Sequence, residues 1–106
     1  MAWIYLTLAG LLEVVWAYSM KKSDGFTILL PSLVTLVAMA ASFALLALAM
    51  RSLPLGTAYT IWTGIGAVGA FILGIVFLGE AATLMRLIAA VLIVSGLVLM
   101  KLASPH

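Results

Sequence analysis

From Thr27 to Met50 the chain runs for 24 residues without a charged side chain, and it does so again from Leu55 to Leu78. Two further apolar runs flank these. Trp3–Met20, 18 residues, is interrupted only by Glu13, and Leu84–Met100, 17 residues, only by Arg86 near one end. Roughly 20 apolar residues in a helix cross the hydrocarbon core of a bilayer, and a backbone in hydrocarbon must satisfy its own polar groups. The four runs therefore predict four membrane-spanning α-helices. The two shorter ones carry Trp3, Arg86 or Lys101 at their ends, side chains that can reach out to the interface.

Composition agrees. The 106 residues are 67% hydrophobic and 8% charged, with a mean hydropathy of +1.39. That is too little polar surface to cover a soluble core. Lys21-Lys22-Ser23-Asp24-Gly25, Arg51-Ser52-Leu53-Pro54 and Gly79-Glu80 separate the runs. Pro31 stands near the start of its run, where a missing N–H is tolerated. Connections this short predict that successive helices are antiparallel neighbours. The expectation is an all-α membrane protein, a single four-helix transmembrane domain over residues 1–106 with no soluble domain. The N-terminus lacks a positively charged leader and a small-residue cleavage site, so the first run reads as a retained span.

Several classes of function fall away. Five scattered Lys and Arg form no basic stripe, which argues against nucleic-acid binding. The absence of cysteine excludes disulfides, thiolate metal sites and a cysteine nucleophile. No nucleophile–base pair, metal cluster or soluble active-site domain is present, so neither an enzyme nor a cofactor is expected. His106 is terminal and is assigned no role. The peptide Gly64-Ile65-Gly66-Ala67-Val68-Gly69 spells the dinucleotide fingerprint, but that fingerprint needs a strand before it and a phosphate site in water. Inside a lipid-length run, its glycines predict close helix packing, with Gly66, Ala70 and Gly74 at small-residue spacing, and a place where the helix can bend.

The charges orient the chain only weakly. With the N-terminus on one side, that side holds Arg51 and Lys101, and the other holds Lys21, Lys22 and Arg86. Three against two is hardly the loop bias that fixes orientation. Two readings stand: a weakly oriented protein, or one that inserts both ways up and can form an antiparallel homodimer.

Glu13 is the acidic residue placed away from the span ends. A charge near the centre of a spanning helix costs about 2.5–3.5 kcal/mol on insertion scales. Packing alone is usually served by cheaper Ser, Thr or Asn, so Glu13 reads as a site for protons or a cation. Paired with a second copy of itself, it could release protons and hold a cation in their place. At 100° per residue Gly10, Glu13, Trp16 and Ala17 share a face. Gly10 leaves room beside the carboxyl, and Trp16 brings a π surface and an N–H donor. Trp16 is too deep for the interfacial anchoring that suits Trp3. In the third run Tyr59, Trp62, Thr63 and Gly66 share a face, and aromatic faces with carboxylates suit an organic cation. Ser42 lies midway along the second run, where a lone serine commonly bonds back to its own helix. Lys101 reads by position as an interfacial anchor.

The segments Ala9–Ala17, Gly25-Phe26-Thr27, Pro31-Ser32 and Leu53–Gly66 resemble the small multidrug resistance family, nearly end to end. Gly10, Glu13, Trp16 and Lys101 point to its guanidinium-exporting branch. The resemblance implies a dual-topology, antiparallel homodimer in the bacterial inner membrane, exchanging guanidinium for protons at a site shared by two Glu13 carboxylates. It implies further that Trp16, Ser42, Tyr59 and Trp62 surround that site, with Ser42 orienting Glu13. The fourth helix would be the dimerisation element, through Ala89, Ala90 and Gly96. Thr60 departs from the branch, which usually has alanine there. The competing functions are a quaternary-ammonium drug antiporter and a non-transporting membrane assembly subunit.

Overall fold

Each apolar run becomes one helix. The computed structural model describes residues 1–103, and His106 lies outside them. The helices are α1 (Ala2–Lys22), α2 (Leu29–Ala49), α3 (Leu55–Leu78) and α4 (Leu84–Ala103). All four are long and apolar enough to cross a membrane. At about 1.5 Å per residue, their 20 to 24 residues span roughly 30–36 Å.

Local chemistry sets the ends. Lys21 and Lys22 close the last turn of α1, where cations favour the carbonyl end of the helix dipole. The lysines extend the helix two residues beyond the apolar run. The chain then turns through three left-handed residues, Asp24, Gly25 and Phe26, with φ of 49°, 71° and 67°. Buried Ser23 holds this turn: its hydroxyl donates to the Met20 carbonyl at 2.7 Å and accepts from the Phe26 N–H at 3.0 Å. Thr27 bonds back to Ser23 through its N–H at 2.9 Å, so the first residues of the second apolar run belong to the turn. Pro54, extended, stands at the N-cap position of α3, where its carbonyl accepts from Ala58 N–H at 2.9 Å. Gly79, with φ of 70°, ends α3 in the left-handed region, and Glu80 N–H donates to the Gly74 carbonyl at 3.0 Å. At the start of α4, Thr83 Oγ1 accepts from Arg86 N–H at 3.3 Å.

The packing departs from simple succession. α1 lies between α2 and α3 and packs on both, whereas α2 and α3 approach each other far less. Where α2 meets α3, large side chains bridge the gap. The Cα framework measures 43 × 34 × 16 Å, a slab rather than a rounded bundle. Its core lies toward the start of α1, with Leu6, Ala9, Leu46, Ala49, Leu53, Ala58, Ile61 and Trp62. Alanine and glycine at the contacts let backbones approach, as expected where lipid supplies no hydrophobic drive between helices. α4 packs on α3 and has no buried residue.

α3 is continuous through its glycines, with no break in the Gly64–Gly69 segment. Each glycine there receives a neighbour: Gly64 receives Leu97 of α4, Gly66 receives Glu13, and Gly69 receives Val14. They are contact points between helices, in a helical context foreign to a dinucleotide loop.

Candidate functional site

Glu13 sits near the middle of α1, and its side chain turns onto α3. It lies against Gly66, where a methyl group would take the carboxylate's place. Oε1 of Glu13 is buried and has no hydrogen-bond partner among the described residues, and Nε1 of Trp16, one turn further on, is in the same condition. An unmet buried polar group costs about 1–3 kcal/mol, so each such case needs a reason. Here an acceptor and a donor are left unmet within four residues of one helix.

Ser42, fully buried on α2, makes the link between helices. Its hydroxyl donates to the Ala9 carbonyl at 2.7 Å and accepts from Trp62 Nε1 at 3.0 Å. It therefore bonds across to α1 rather than back to its own helix. In an α-helix the Ala9 carbonyl also receives the Glu13 backbone N–H. Ser42 thus holds the turn of α1 that carries Glu13, acting through Ala9 and not through the carboxyl group.

Four aromatic rings form a line beside this link. Trp16 meets Phe43 edge-on at 6.4 Å, Phe43 meets Trp62 at 5.7 Å, and Trp62 meets Tyr59 at 5.6 Å. Edge-to-face contacts at such distances favour fixed ring orientations. The line crosses from α1 over α2 to α3. Trp62 is 6% exposed, while Tyr59 at the end of the line is 52% exposed.

Glu13, Trp16, Ser42, Tyr59 and Trp62 are thus brought into one region. Gly10 and Thr63 are placed differently. The bare side of Gly10 is filled by Ile65, whose Cβ would lie 2.7 Å from an added Cβ. Gly10 serves the approach of α3 rather than leaving room at the carboxyl. Thr63 is exposed, in a groove of about 570 Å³ between α3 and α4 that also includes Tyr59, Thr60 and Gly64. One residue means about 100° of helix, which turns Thr63 outward while Trp62 points in.

Phe43 is the site residue that the pattern of the sequence did not single out. The available signal was weak: an aromatic next to Ser42 in the middle of α2. Lys101 reaches the opposite terminus, with Nζ 4.5 Å from the centroid of the Trp3 ring.

A family model described as Small Multidrug Resistance protein matches residues 1–93. A protein of Yersinia pseudotuberculosis named "Guanidinium exporter" is 64% identical over 104 residues, covering 98% of this chain and all of the relative. Proteins of the same name from Escherichia coli K12 and Citrobacter freundii are 60% and 57% identical, each over 98% of this chain and 99% of the relative. The resemblance carried by the Glu13 and Leu53–Gly66 segments thus extends over nearly the whole molecule: the chain belongs to the small multidrug resistance family.

Proposed function

We propose that this chain is a membrane transporter, not an enzyme, that exports guanidinium and small guanidinyl compounds in exchange for protons. The names of its relatives support the substrate, and the unmet pair at Glu13 and Trp16 carries the mechanism. A carboxyl group holds a proton, or as a carboxylate it holds a cation. Guanidinium is planar and donor-rich, and it fits carboxylates in a two-pronged fork. Proton and cation therefore compete for one group, and that competition couples the two fluxes.

The working unit in this reading is an antiparallel homodimer in the bacterial inner membrane. The donor–acceptor balance supports a second copy. Guanidinium has donors and no acceptor, so it leaves Trp16 Nε1 unmet. A second Glu13 carboxylate supplies an acceptor for that N–H and doubles the negative charge facing the cation. α1, between α2 and α3, would place the site midway across the slab's width, and the aromatic line ending at Tyr59 would bound the substrate. Glu13 acts as the proton- and substrate-binding group; Trp16, Ser42, Tyr59 and Trp62 line the site, with Gly10 and Thr63 nearby on α1 and α3.

The test is uptake into proteoliposomes. With an imposed pH gradient, guanidinium should move against the proton flow, and dissipating the gradient should stop net accumulation. Tetraalkylammonium ions lack donors, and sites built on hydrogen bonds reject analogues that lack them. If bulky aromatic cations compete as well as guanidinium, the chain is a drug antiporter. If neither is transported, Glu13 is a structural contact in an assembly subunit.

A further inference from the structure

The side chain of Arg86 ends in the same planar cation that is proposed as the substrate, and the chain has a cradle for it. The guanidinium carbon stands 5.0 Å from the centroid of the Phe71 ring. Nη1 donates to the Ala81 carbonyl at 2.5 Å, and Nη2 lies 3.6 Å from Glu80 Oε1. An aromatic face, a carbonyl and a carboxylate are the groups that recognise a guanidinium. On the reading of guanidinium as the transported cation, we propose that Glu80, Phe71 and the Ala81 carbonyl form a second guanidinium-binding station, apart from Glu13, which Arg86 fills until a free guanidinium takes its place.

The cradle is built independently of its occupant. Gly79, with φ of 70°, turns the chain back, and Glu80 N–H donates to the Gly74 carbonyl at 3.0 Å. The Glu80 carboxylate then lies against the bare side of Gly74, where a methyl group would overlap it. A group fixed in this way loses little freedom when a ligand arrives. Arg86 is the looser partner. Its 3.6 Å approach to Glu80 exceeds hydrogen-bonding distance. The two side chains are 39% and 44% exposed, and exposed ion pairs contribute little. That ion pair is the one polar contact of the carboxylate among the described residues, so its oxygens stay open to the paired N–H groups of a guanidinium.

Position gives the station its use. Glu80 and Arg86 stand on a cleft of about 330 Å³ between α1 and α3. Its walls include Ala17 and Ala70, one helical turn from Glu13 and from Gly66. The cleft therefore runs from the ends of the spans to within a turn of the central carboxyl group. Ala89, Ala90 and Gly96 form no part of it, so the station needs no open face on α4. Lys21 lies on the same cleft and opposes a second cation. Exchanging Arg86 for a free guanidinium keeps the local charge constant, and Lys21 keeps the hold weak enough for the cation to move on.

The experiment measures binding of radiolabelled guanidinium to the full-length protein in mild detergent, by scintillation proximity, in a Glu13→Gln background that silences the central site. Arg86→Gln vacates the cradle and Lys21→Gln removes the opposing charge. Each should tighten binding about fivefold, the scale of one unit charge about 4 Å away in water. Adding Glu80→Gln to either should abolish binding, and Glu80→Asp, which keeps the charge, should restore part of it. A general loss of folding cannot tighten binding in two variants and return it in a third. Affinity unchanged by Arg86→Gln, or binding retained after Glu80→Gln, overturns the proposal. Displacement of the label by sodium as readily as by unlabelled guanidinium also overturns it, since only a diffuse attraction of cations would remain. The substrate reading fails separately, in a parent chain that binds guanidinium no better than Glu13→Gln does.

Discussion

The carboxylate of Glu13 lies against the backbone of Gly66, in a space that exists only because residue 66 has no side chain. Two positions fifty-three residues apart are thereby made one feature, and substitution at the glycine reaches the acid without touching it. Gly66→Ala should cut transport roughly tenfold, as expected if the misplaced carboxyl loses about 1.4 kcal/mol of binding. Gly69→Ala is the comparison, because its methyl meets Val14 rather than Glu13. That change should cost about 1–3 kcal/mol of packing while retaining the affinity of whatever protein remains folded. Equal loss of affinity in both variants would mean that Gly66 matters only for packing.

Glu13 itself separates proton coupling from structure. Glu13→Gln keeps the shape and much of the hydrogen-bonding capacity but cannot ionise. Size-exclusion profiles should match the parent, and guanidinium uptake driven by a pH gradient should vanish. Normal uptake in this variant would leave the carboxyl a structural role only.

Ser42→Ala removes the hydroxyl that joins Ala9 to Trp62. The buried indole N–H loses its acceptor, at a cost of about 1–3 kcal/mol. The melting temperature should fall accordingly. Trp62→Phe takes away the stranded donor, so the double variant should be destabilised by less than the two single changes added together. Strict additivity would show that the two side chains are not coupled.

Orientation offers a test that needs no transport. Reporter fusions at the C-terminus should give both cytoplasmic and external signals, because three basic residues on one side face two on the other. Two lysines added after Met100 should drive the C-terminus to the cytoplasm. A parent chain found in a single orientation would contradict dual insertion.

Thr60 stands beside Tyr59 on the groove between α3 and α4. Competition against guanidinium uptake, in the parent and in Thr60→Ala, measures how far its hydroxyl widens substrate choice. Small quaternary ammonium ions should compete better in the parent than in Thr60→Ala, and bulky aromatic cations poorly in both.

The sequence by itself determined the four helices, since hydrocarbon admits few alternatives to a helix for an uncharged run of 20 residues. α3 keeps the limits of its apolar run, Leu55–Leu78. α1 runs on through Lys21 and Lys22 because lysine is a good helix former and its charge suits that end. The oddity of Glu13 was equally plain, because a carboxyl in lipid is costly wherever the helix is placed. Only the tertiary structure decided which neighbours these groups meet. Periodicity assigns a face to each helix but not the helix it faces, so placing α1 between α2 and α3 was beyond it. The same limit hid the use of Gly10, which admits Ile65, and the outward turn of Thr63. It also hid the bond from Ser42 to Ala9, thirty-three residues away, since a hydroxyl's partner depends on the backbone that packing brings within its reach.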